Sequence, residues 1–267
     1  MEAVAHADAV EFADLVTPFL ATDPARYSVH LTTVDLALRG SDATLISLHD
    51  NGNLAGVATR LRPARPVQVA GMPPGGAEAL ANLLRSADPE VPAVVGPRDR
   101  VSEFRAAWSP DGVETVATLL YRLDALISPN VPGDAREVPL SSLGDWWRAF
   151  LRDTTEMTDE EAFAFVEANR AMPTRHVVWE VDSTPVAWAA TTVPVGGVSR
   201  IGPVYTPPDQ RGNGYAAAAT AAITRWALDA GAHEVVLMTN ADAAGPNRLY
   251  RRLGFEVIGD WSYWTFS

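Results

Sequence analysis

The segment from Ile201 to Ala217 constrains the fold and chemistry of this chain more than any other part of its sequence. An apolar strand, Ile201–Tyr205, leads through a polar turn into Arg211-Gly212-Asn213-Gly214-Tyr215-Ala216 and an alanine-rich helix. The first turn of a helix carries unpaired N–H groups and the positive end of the helix dipole, so it attracts phosphate. Glycines at 212 and 214 remove side chains that would hold a diphosphate away from the backbone. The segment therefore predicts a phosphate-bearing ligand.

Comparison with known phosphate-binding motifs shows which kind of loop this segment resembles. The segment is not a P-loop, because no Gly-Lys-Ser/Thr follows it, and it lacks the third glycine of the dinucleotide fingerprint. The pattern Arg211-x-x-Gly214-x-Ala216 after a strand instead resembles the acyl-CoA pyrophosphate loop of the GNAT superfamily of N-acetyltransferases. The alternative is a glycine-containing turn before a surface helix.

A second motif follows after one helix and one strand, in the order that the family requires. Residues 247–255 read Asn-Arg-Leu-Tyr-Arg-Arg-Leu-Gly-Phe. They resemble the family's short helix that ends in Gly-Phe and carries an Asn and a Tyr. The alternatives are a half-buried helix aromatic for Tyr250 and a residue just after the helix end for Gly254. Two motifs in this order favour the resemblance for residues 132–267.

The resemblance implies acetyl transfer from acetyl-CoA and gives roles to particular residues. Tyr250 is implied as the general acid for the leaving thiolate, the alternative being that it packs or only hydrogen-bonds the sulfur. The resemblance implies that Asn247, three residues before Tyr250 at a position that is often Asn in relatives, is the cofactor contact of this motif. The sequence departs from the commoner pattern, an Asn seven residues before the tyrosine, because that position is Ala243. The backbone of the loop faces the pyrophosphate, and the strand before it carries the pantetheine. The implied cofactor-binding residues are Val204, Tyr205, Thr206, Arg211, Gly212, Asn213, Gly214, Tyr215, Ala216 and Asn247.

Two roles stay open at this stage. The Arg211 side chain either adds charge to the phosphate site or forms a salt bridge within the loop. No general base is assigned. A chain of water molecules is one candidate, and the others are Glu156, Asp159, Glu180 and the terminal carboxylate of Ser267. Several aromatic residues either line an acceptor pocket or belong to the core: Trp179, Trp188, Trp261, Tyr263 and Trp264.

Composition sets further limits. The 267 residues allow one large or two ordinary domains, and 47% hydrophobic residues can build a core. A net charge of −12 disfavours nucleic acid and suits a soluble enzyme with a cationic amine substrate. The chain has no cysteine, so we expect no disulfides. Its five histidines are scattered along the sequence, so we expect no metal site. We expect no membrane partner and a cytoplasmic location, because neither a long apolar run nor a signal-peptide pattern is present.

The chain divides into two halves with a similar order of elements. A Pro/Gly-rich stretch at 128–134 predicts a boundary between a domain at 1–130 and a catalytic domain at 131–267. Each half has a hairpin, with turns at Asn51-Gly52 and Asp182-Ser183. In the first half, residues 69–77 contain prolines and no arginine where the phosphate loop should be, before a helix at 77–84. We therefore expect a degenerate first copy and one CoA site, as in some tandem members of the superfamily.

The sequence of the predicted catalytic domain indicates helices and strands in succession. The expected helices are Leu143–Leu151, Asp159–Ala168, Gly214–Ala230 and Pro246–Leu253. The expected strands are His176–Val181, Pro185–Ala190, Arg200–Tyr205, Glu234–Thr239 and two from Phe255–Phe266, broken at Gly259-Asp260. The predicted class is α/β (α+β), with two GNAT-like domains, each a mixed, mostly antiparallel sheet flanked by helices.

The resemblance favours an N-acetyltransferase that moves the acetyl group of acetyl-CoA to a primary amine by direct attack. Two competing hypotheses are a non-catalytic acyl-CoA-binding or regulatory protein of the same fold, and transfer of another acyl group or to oxygen. The acceptor is left open among small amines, amino acids, antibiotics and protein N-termini. A homodimer is retained as one assembly state.

Overall fold

The computed structural model describes residues 1–63, 65–109, 111–154 and 172–266, and within these ranges the chain forms twelve β-strands and seven α-helices. The strands are β1 (Glu2–His6), β2 (Ala43–Asp50), β3 (Asn53–Leu61), β4 (Val67–Gln68), β5 (Ala93–Pro97), β6 (Val113–Leu123), β7 (Asp134–Glu137), β8 (Thr174–Val181), β9 (Thr184–Thr192), β10 (Val198–Tyr205), β11 (Glu234–Asn240) and β12 (Phe255–Thr265). The helices are α1 (Ala9–Leu20), α2 (Ser28–Leu38), α3 (Ala77–Ala87), α4 (Arg98–Trp108), α5 (Gly144–Thr154), α6 (Tyr215–Asp229) and α7 (Ala244–Arg252). None of the helices in these ranges combines the length and apolar character needed to cross a membrane.

Two compact units make up the chain. The first comprises residues 1–120, 239–243 and those from Val257 onward, and the second comprises residues 121–238 and 244–256. The last strand of the chain therefore belongs mainly to the first unit. The domain limits predicted from the sequence, with a boundary at residue 130, stay a prediction.

Each unit contains a mixed sheet. In the first, the strand order is β1-β2-β3-β4-β5-β12-β6; β4 and β5 are parallel, and the pairs β1–β2, β2–β3, β3–β4 and β5–β12 are antiparallel. In the second, the order is β11-β10-β9-β8-β7, with only β11–β10 parallel. Both sheets are thus mostly antiparallel and flanked by helices, which confirms the predicted fold class.

The hairpins predicted in both halves are present. Asn51 and Gly52 join β2 to β3 with φ angles of 49° and 81°, and Asp182 and Ser183 join β8 to β9 with φ angles of 48° and 62°. Positive φ at both central residues is the geometry that matches the right-handed twist of antiparallel strands. Each hairpin leads to a strand that has a parallel partner, β4 beside β5 and β10 beside β11.

The predicted helices that fall within the described residues are confirmed, with ends shifted by a few residues, as are the strands up to β11. The helix predicted at Asp159–Ala168 lies outside the described residues. The prediction of two strands after residue 254 is wrong, because β12 runs unbroken through Gly259. A Cβ at Gly259 would lie 2.9 Å from the indole nitrogen of Trp261, so this glycine permits a close approach within the strand rather than a turn.

Helix α6 packs on β8 and β9, and this packing holds the first turn of the helix beside the sheet. Its buried face is made of small residues and one isoleucine: Ala218, Ala219, Thr220, Ala221, Ile223, Thr224 and Ala227. Small side chains let the helix backbone approach the strands closely. A separate aromatic cluster surrounds Trp188, which contacts Trp147 of α5 with ring centroids 5.2 Å apart.

A buried polar network in the first unit includes a charged pair. The guanidinium of Arg60 on β3 donates to the carboxylate of Asp88 and to three backbone carbonyls. The hydroxyl of Thr44 on β2 donates to the other oxygen of Asp88 at 2.5 Å. Because a buried carboxylate depends on such donors, each of them contributes to stability.

Thr44→Val removes this donor while keeping the side-chain shape, and we expect it to lower the free energy of unfolding by about 2 kcal/mol. Urea denaturation measures the change. The matched control is Thr22→Val, which removes an exposed hydroxyl bonded to the Phe19 carbonyl and should cost less than about 0.5 kcal/mol. Equal losses in the two variants would contradict a stabilising role for the Thr44–Asp88 bond.

His176 on β8 is buried in the neutral form. The indole N–H of Trp188 donates to Nδ1 at 3.3 Å, so the proton is on Nε2, which lies 2.9 Å from the hydroxyl oxygen of Thr174. Burial lowers the pKa of His176 from 6.5 to about 4. Between pH 6.5 and 4 the unfolded chain protonates this histidine while the folded chain keeps it neutral. Protonation of the unfolded chain therefore lowers the free energy of unfolding as the pH falls from 6.5 towards 4.

Acidification from pH 6.5 to 5.5 is therefore expected to lower the free energy of unfolding by about 1 kcal/mol through His176 alone. Urea unfolding followed by tryptophan fluorescence at both pH values measures the loss. In His176→Gln the loss should be smaller by that amount, and an unchanged pH dependence in this variant would contradict the assignment.

Candidate functional site

The predicted phosphate loop forms the junction between β10 and α6. After a 3-10 turn at Pro208–Gln210, Gly212 and Gly214 both adopt the left-handed conformation, with φ of 86° and 83°. Gly214 is the N-cap of α6, and no side chain there accepts a hydrogen bond from the first turn. Ser, Thr, Asp or Asn at this position would occupy one of these N–H groups. As far as the described residues go, the backbone donors of Tyr215 and Ala216 are left open to an anion.

Two side chains of the predicted phosphate loop make hydrogen bonds that hold the loop in its conformation. Arg211 donates through Nε to the carbonyl of Thr206 at 3.0 Å and through Nη2 to the carboxylate of Asp153 on α5 at 2.5 Å. Asn213 donates through Nδ2 to the carbonyl of Gln210 at 3.1 Å. Arg211 thus forms a salt bridge with α5 rather than the expected one within the loop, and its contribution of charge to a phosphate site stays a prediction.

The strand before the loop separates from its parallel neighbour. The pairing of β10 with β11 runs from Val198–Glu234 to Ile201–Leu237. Beyond Ile201, the partners of β10 in the described register lie on β9, where Val204 faces Ala189. The edge of Val204 and Tyr205 directed towards β11 is therefore available to an extended ligand.

The side chains at the end of β10 are largely buried. The Tyr205 ring meets Trp146 of α5 edge to face, with centroids 5.8 Å apart. The buried hydroxyl of Thr206 has no hydrogen-bond partner within the described residues. These positions would contact a ligand mainly through their backbone.

The second motif lies on α7 and places Tyr250 in an aromatic cluster. Tyr250 is only 9% exposed, and its ring lies 6.1 Å from that of Tyr121 and 6.3 Å from that of Phe255. Burial, with a smaller contribution from Tyr121, raises the pKa of Tyr250 to about 12. The phenol is therefore protonated at neutral pH and can act as a donor but not as a base.

Asn247 is buried one turn before Tyr250. Its side-chain oxygen accepts a hydrogen bond of 2.7 Å from the Tyr121 hydroxyl, which comes from β6. Gly254 follows the helix with φ of 91°, and a Cβ there would lie 1.9 Å from the carbonyl oxygen of Ala125. The structure thus brings Asn247 and Tyr250 together around Tyr121. The role of Asn247 as a cofactor contact stays a prediction.

A cavity of about 460 Å³ adjoins the start of α6. Gly214 and Ala217 line one part of it, and Arg248 and Arg252 of α7 line another. The remaining lining residues are Ile127, Pro129, Val131, Gly245, Leu249 and Leu253. No functional role was predicted for the two arginines from the sequence, although their spacing of four residues beside the Asn247–Tyr250 motif already places them on one helix face.

The candidates for the general base differ in their surroundings. The Glu180 carboxylate accepts hydrogen bonds from Arg136, which lower its pKa and make it a poor base. Glu156, Asp159 and Ser267 lie outside the described residues. In the ranges that are described, no three His, Asp or Glu side chains come together to hold a metal ion.

The aromatic candidates for an acceptor pocket are mainly structural. Trp188 and Trp261 are fully buried, and the Trp179 indole donates to the carbonyl of Pro132 at 2.9 Å. Trp264 stacks under the guanidinium of Arg105 at 4.5 Å.

Comparison with known proteins agrees with this geometry. Residues 140–255 match the family model described as "Acetyltransferase (GNAT) family". This range contains the predicted phosphate loop, the end of β10 that separates from β11 and the Asn247–Tyr250 motif. None of the curated proteins compared with the chain matches its sequence significantly.

Solved structures share the fold over nearly the whole chain. A GCN5-related N-acetyltransferase from Kribbella flavida is 21% identical with a TM-score of 0.62, and the match covers 90% of this chain and 95% of that one. An acetyltransferase from the GNAT family of Colwellia psychrerythraea is 12% identical with a TM-score of 0.56 and complete coverage of both chains. A tandem GNAT protein from the clavulanic acid biosynthesis pathway is 14% identical with a TM-score of 0.58, covering 99% of this chain and 98% of its own. Residues 140–255 therefore match the GNAT acetyltransferase family model, and the chain as a whole shares the fold of these solved structures.

Proposed function

We propose that this protein transfers an acetyl group from acetyl-CoA to a primary amine. The observation that carries the proposal is the open first turn of α6 at Gly214, directly after a strand whose last residues leave β11. The first feature suits a diphosphate, and the second suits an extended chain that carries amides. Together they fit a CoA thioester better than a free phosphate.

The corresponding loop of the first unit supports a single CoA site. There, the N–H of Gly71 donates to the imidazole of His30 at 3.2 Å, and the N–H of Gly75 donates to the carboxylate of Glu103 at 3.2 Å. Pro73 and Pro74 have no N–H at all. A phosphate at this loop would meet occupied donors and a negative charge. We therefore propose that the first unit is the degenerate copy.

The chemistry that we propose has three parts. The amine nitrogen attacks the thioester carbon, and backbone N–H groups along Val204–Thr206 stabilise the oxygen as it gains negative charge. The carbon–sulfur bond then breaks, and the Tyr250 phenol gives its proton to the thiolate. The attacking nitrogen loses its proton to solvent or to a base, and a proton from solvent restores the phenol.

A panel of amines assayed for thiol release from acetyl-CoA tests this proposal against the non-catalytic alternative. The proposal predicts release that depends on at least one primary amine. Tight CoA binding without turnover on any amine would favour a binding or regulatory protein. Turnover only with a longer acyl donor, or only with alcohols, would favour the second alternative.

The sequence leaves the acceptor unidentified, and its classes remain small amines, amino acids, antibiotics and protein N-termini. The net charge of −12 favours a cationic substrate. The cytoplasmic location and the homodimer stay predictions.

A further inference from the structure

Strand β1 forms an edge of the first unit's sheet and lacks the features that usually protect such an edge. It pairs with β2 in a continuous register from Glu2–His49 to His6–Leu45, and among the described strands β2 is its one partner. Its sequence, Glu-Ala-Val-Ala-His, has no proline, lysine or arginine. Such residues, or bulges, commonly blunt the edge strands of monomeric proteins, because unpaired N–H and C=O groups pair readily with another strand.

The edge strand of the second unit shows the protected pattern. Strand β7 reads Asp-Ala-Arg-Glu, and all four residues are exposed. Arg136 and Glu137 form ion pairs with side chains of the neighbouring strand β8. Three charged residues out of four hinder the addition of another strand to β7. The chain thus protects one sheet edge and leaves the edge at β1 unprotected.

Strand β1 is already held in the extended conformation that strand pairing needs. Ala3 packs against the buried core of the first unit, and the His6 ring lies 5.2 Å from the ring of Phe12 on α1. The Nε2 atom of His6 lies 2.7 Å from the hydroxyl oxygen of Ser47 on β2. Because these contacts order the strand before a partner arrives, pairing with a second strand costs little conformational entropy.

The sequence of β1 is complementary to itself. In an antiparallel pair with a two-fold axis at Val4, Glu2 of each copy lies opposite His6 of the other. Val4 is 36% exposed and would meet Val4 of the second copy at the axis. Within the described residues Nδ1 of His6 has no hydrogen-bond partner, so the imidazole can bond the opposite carboxylate. We infer that β1 pairs with β1 of a second copy of this chain, which joins the two first-unit sheets into one.

Other positions of the two-fold axis lose this match. With the axis at Ala5, Glu2 would lie opposite Asp8 of the second copy, and like charges directly opposite each other destabilise a sheet. With the axis at Ala3, Glu2 would lie opposite Val4 and would lose its polar partner. The register centred on Val4 is therefore the one that the sequence favours.

Sedimentation equilibrium of the full chain tests this inference. The wild type should form dimers, and Val4→Lys should weaken the association by about tenfold or more, because two lysines would then face each other at the axis. The matched control is Val113→Lys, which replaces an exposed valine of β6 in the same unit and should leave the association unchanged. Urea denaturation of both variants shows whether they remain folded.

A pair of charge variants tests the register independently. Glu2→His places histidine at both ends of β1, and His6→Glu places glutamate at both ends. Each variant alone should associate about fivefold more weakly than the wild type, because the Glu–His pairs are lost. An equimolar mixture of the two should recover the wild-type association, because each mixed dimer again has a glutamate opposite a histidine at both ends.

Four results would overturn the inference. A wild type that stays monomeric at about 100 μM would leave the edge at β1 to another protein or to a peptide. A dimer that folded Val4→Lys keeps intact would use a different surface, and equal weakening by Val113→Lys would show a general effect of added charge. A mixture that associates no better than its components would exclude the pairing centred on Val4. None of these results depends on CoA binding, so the proposed function is tested separately.

Discussion

Gly214→Val is expected to abolish CoA binding, with a loss of affinity of at least about a hundredfold. Gly214 has φ of 83°, which a β-branched residue adopts only with strain. Its Cβ would lie 3.1 Å from Cγ2 of Val131, and its side chain would stand over the first turn of α6 and the cavity. Calorimetry with CoA measures the loss.

The matched control is Gly231→Val at the other end of the same helix. Gly231 has φ of 95°, and no atom lies within 4 Å of the position of its Cβ, so the substitution brings a similar backbone strain without touching the loop. We expect this variant to bind CoA as the wild type does. Wild-type affinity in Gly214→Val, or equal losses in both variants, would contradict the role of the loop.

Tyr250→Phe is expected to lower kcat by about a hundredfold or more while leaving CoA affinity unchanged, as for the loss of a general acid. A pKa of about 12 keeps the Tyr250 phenol protonated across the working range. Deprotonation of Tyr250 should therefore cause no decline in the wild-type rate up to about pH 10. Steady-state kinetics against pH, with calorimetry for CoA, measures both effects.

Tyr121→Phe separates proton donation from packing. It removes a neighbouring hydroxyl of the same cluster together with its bond to Asn247, and we expect a stability cost of about 1 kcal/mol and a small effect on kcat. If both variants lost the same fraction of kcat, the effect would belong to the cluster as a whole. Full activity in Tyr250→Phe would remove the phenol from the mechanism.

Features encoded by short stretches of sequence were predictable. The two hairpins depend on residues that tolerate positive φ at adjacent positions, and such pairs are visible in the chain as Asn51-Gly52 and Asp182-Ser183. The loop–helix junction at Gly214 likewise depends on a few neighbouring residues. The fold class followed from the order of these local elements together with the family resemblance.

Features that depend on distant contacts were not predictable. The partner of β12 is β5, where Trp261 faces Pro97, and no local pattern encodes a pairing over that separation. Gly259 has the sequence signature of a break between strands, and the close approach of the Trp261 indole that explains this glycine is evident only in three dimensions. The bond from Tyr121 to Asn247 joins positions 126 residues apart. The cavity beside Arg248 and Arg252 was not predictable for the same reason, because Ile127, Pro129 and Val131, which also line it, are distant in sequence.

A crystal structure of the protein with bound coenzyme A tests the central claim most directly. The account predicts the diphosphate on the backbone N–H groups of residues 211–216, at the start of α6. Coenzyme bound at the 71–76 loop of the first unit, or a first turn of α6 left empty at saturating ligand, would contradict it.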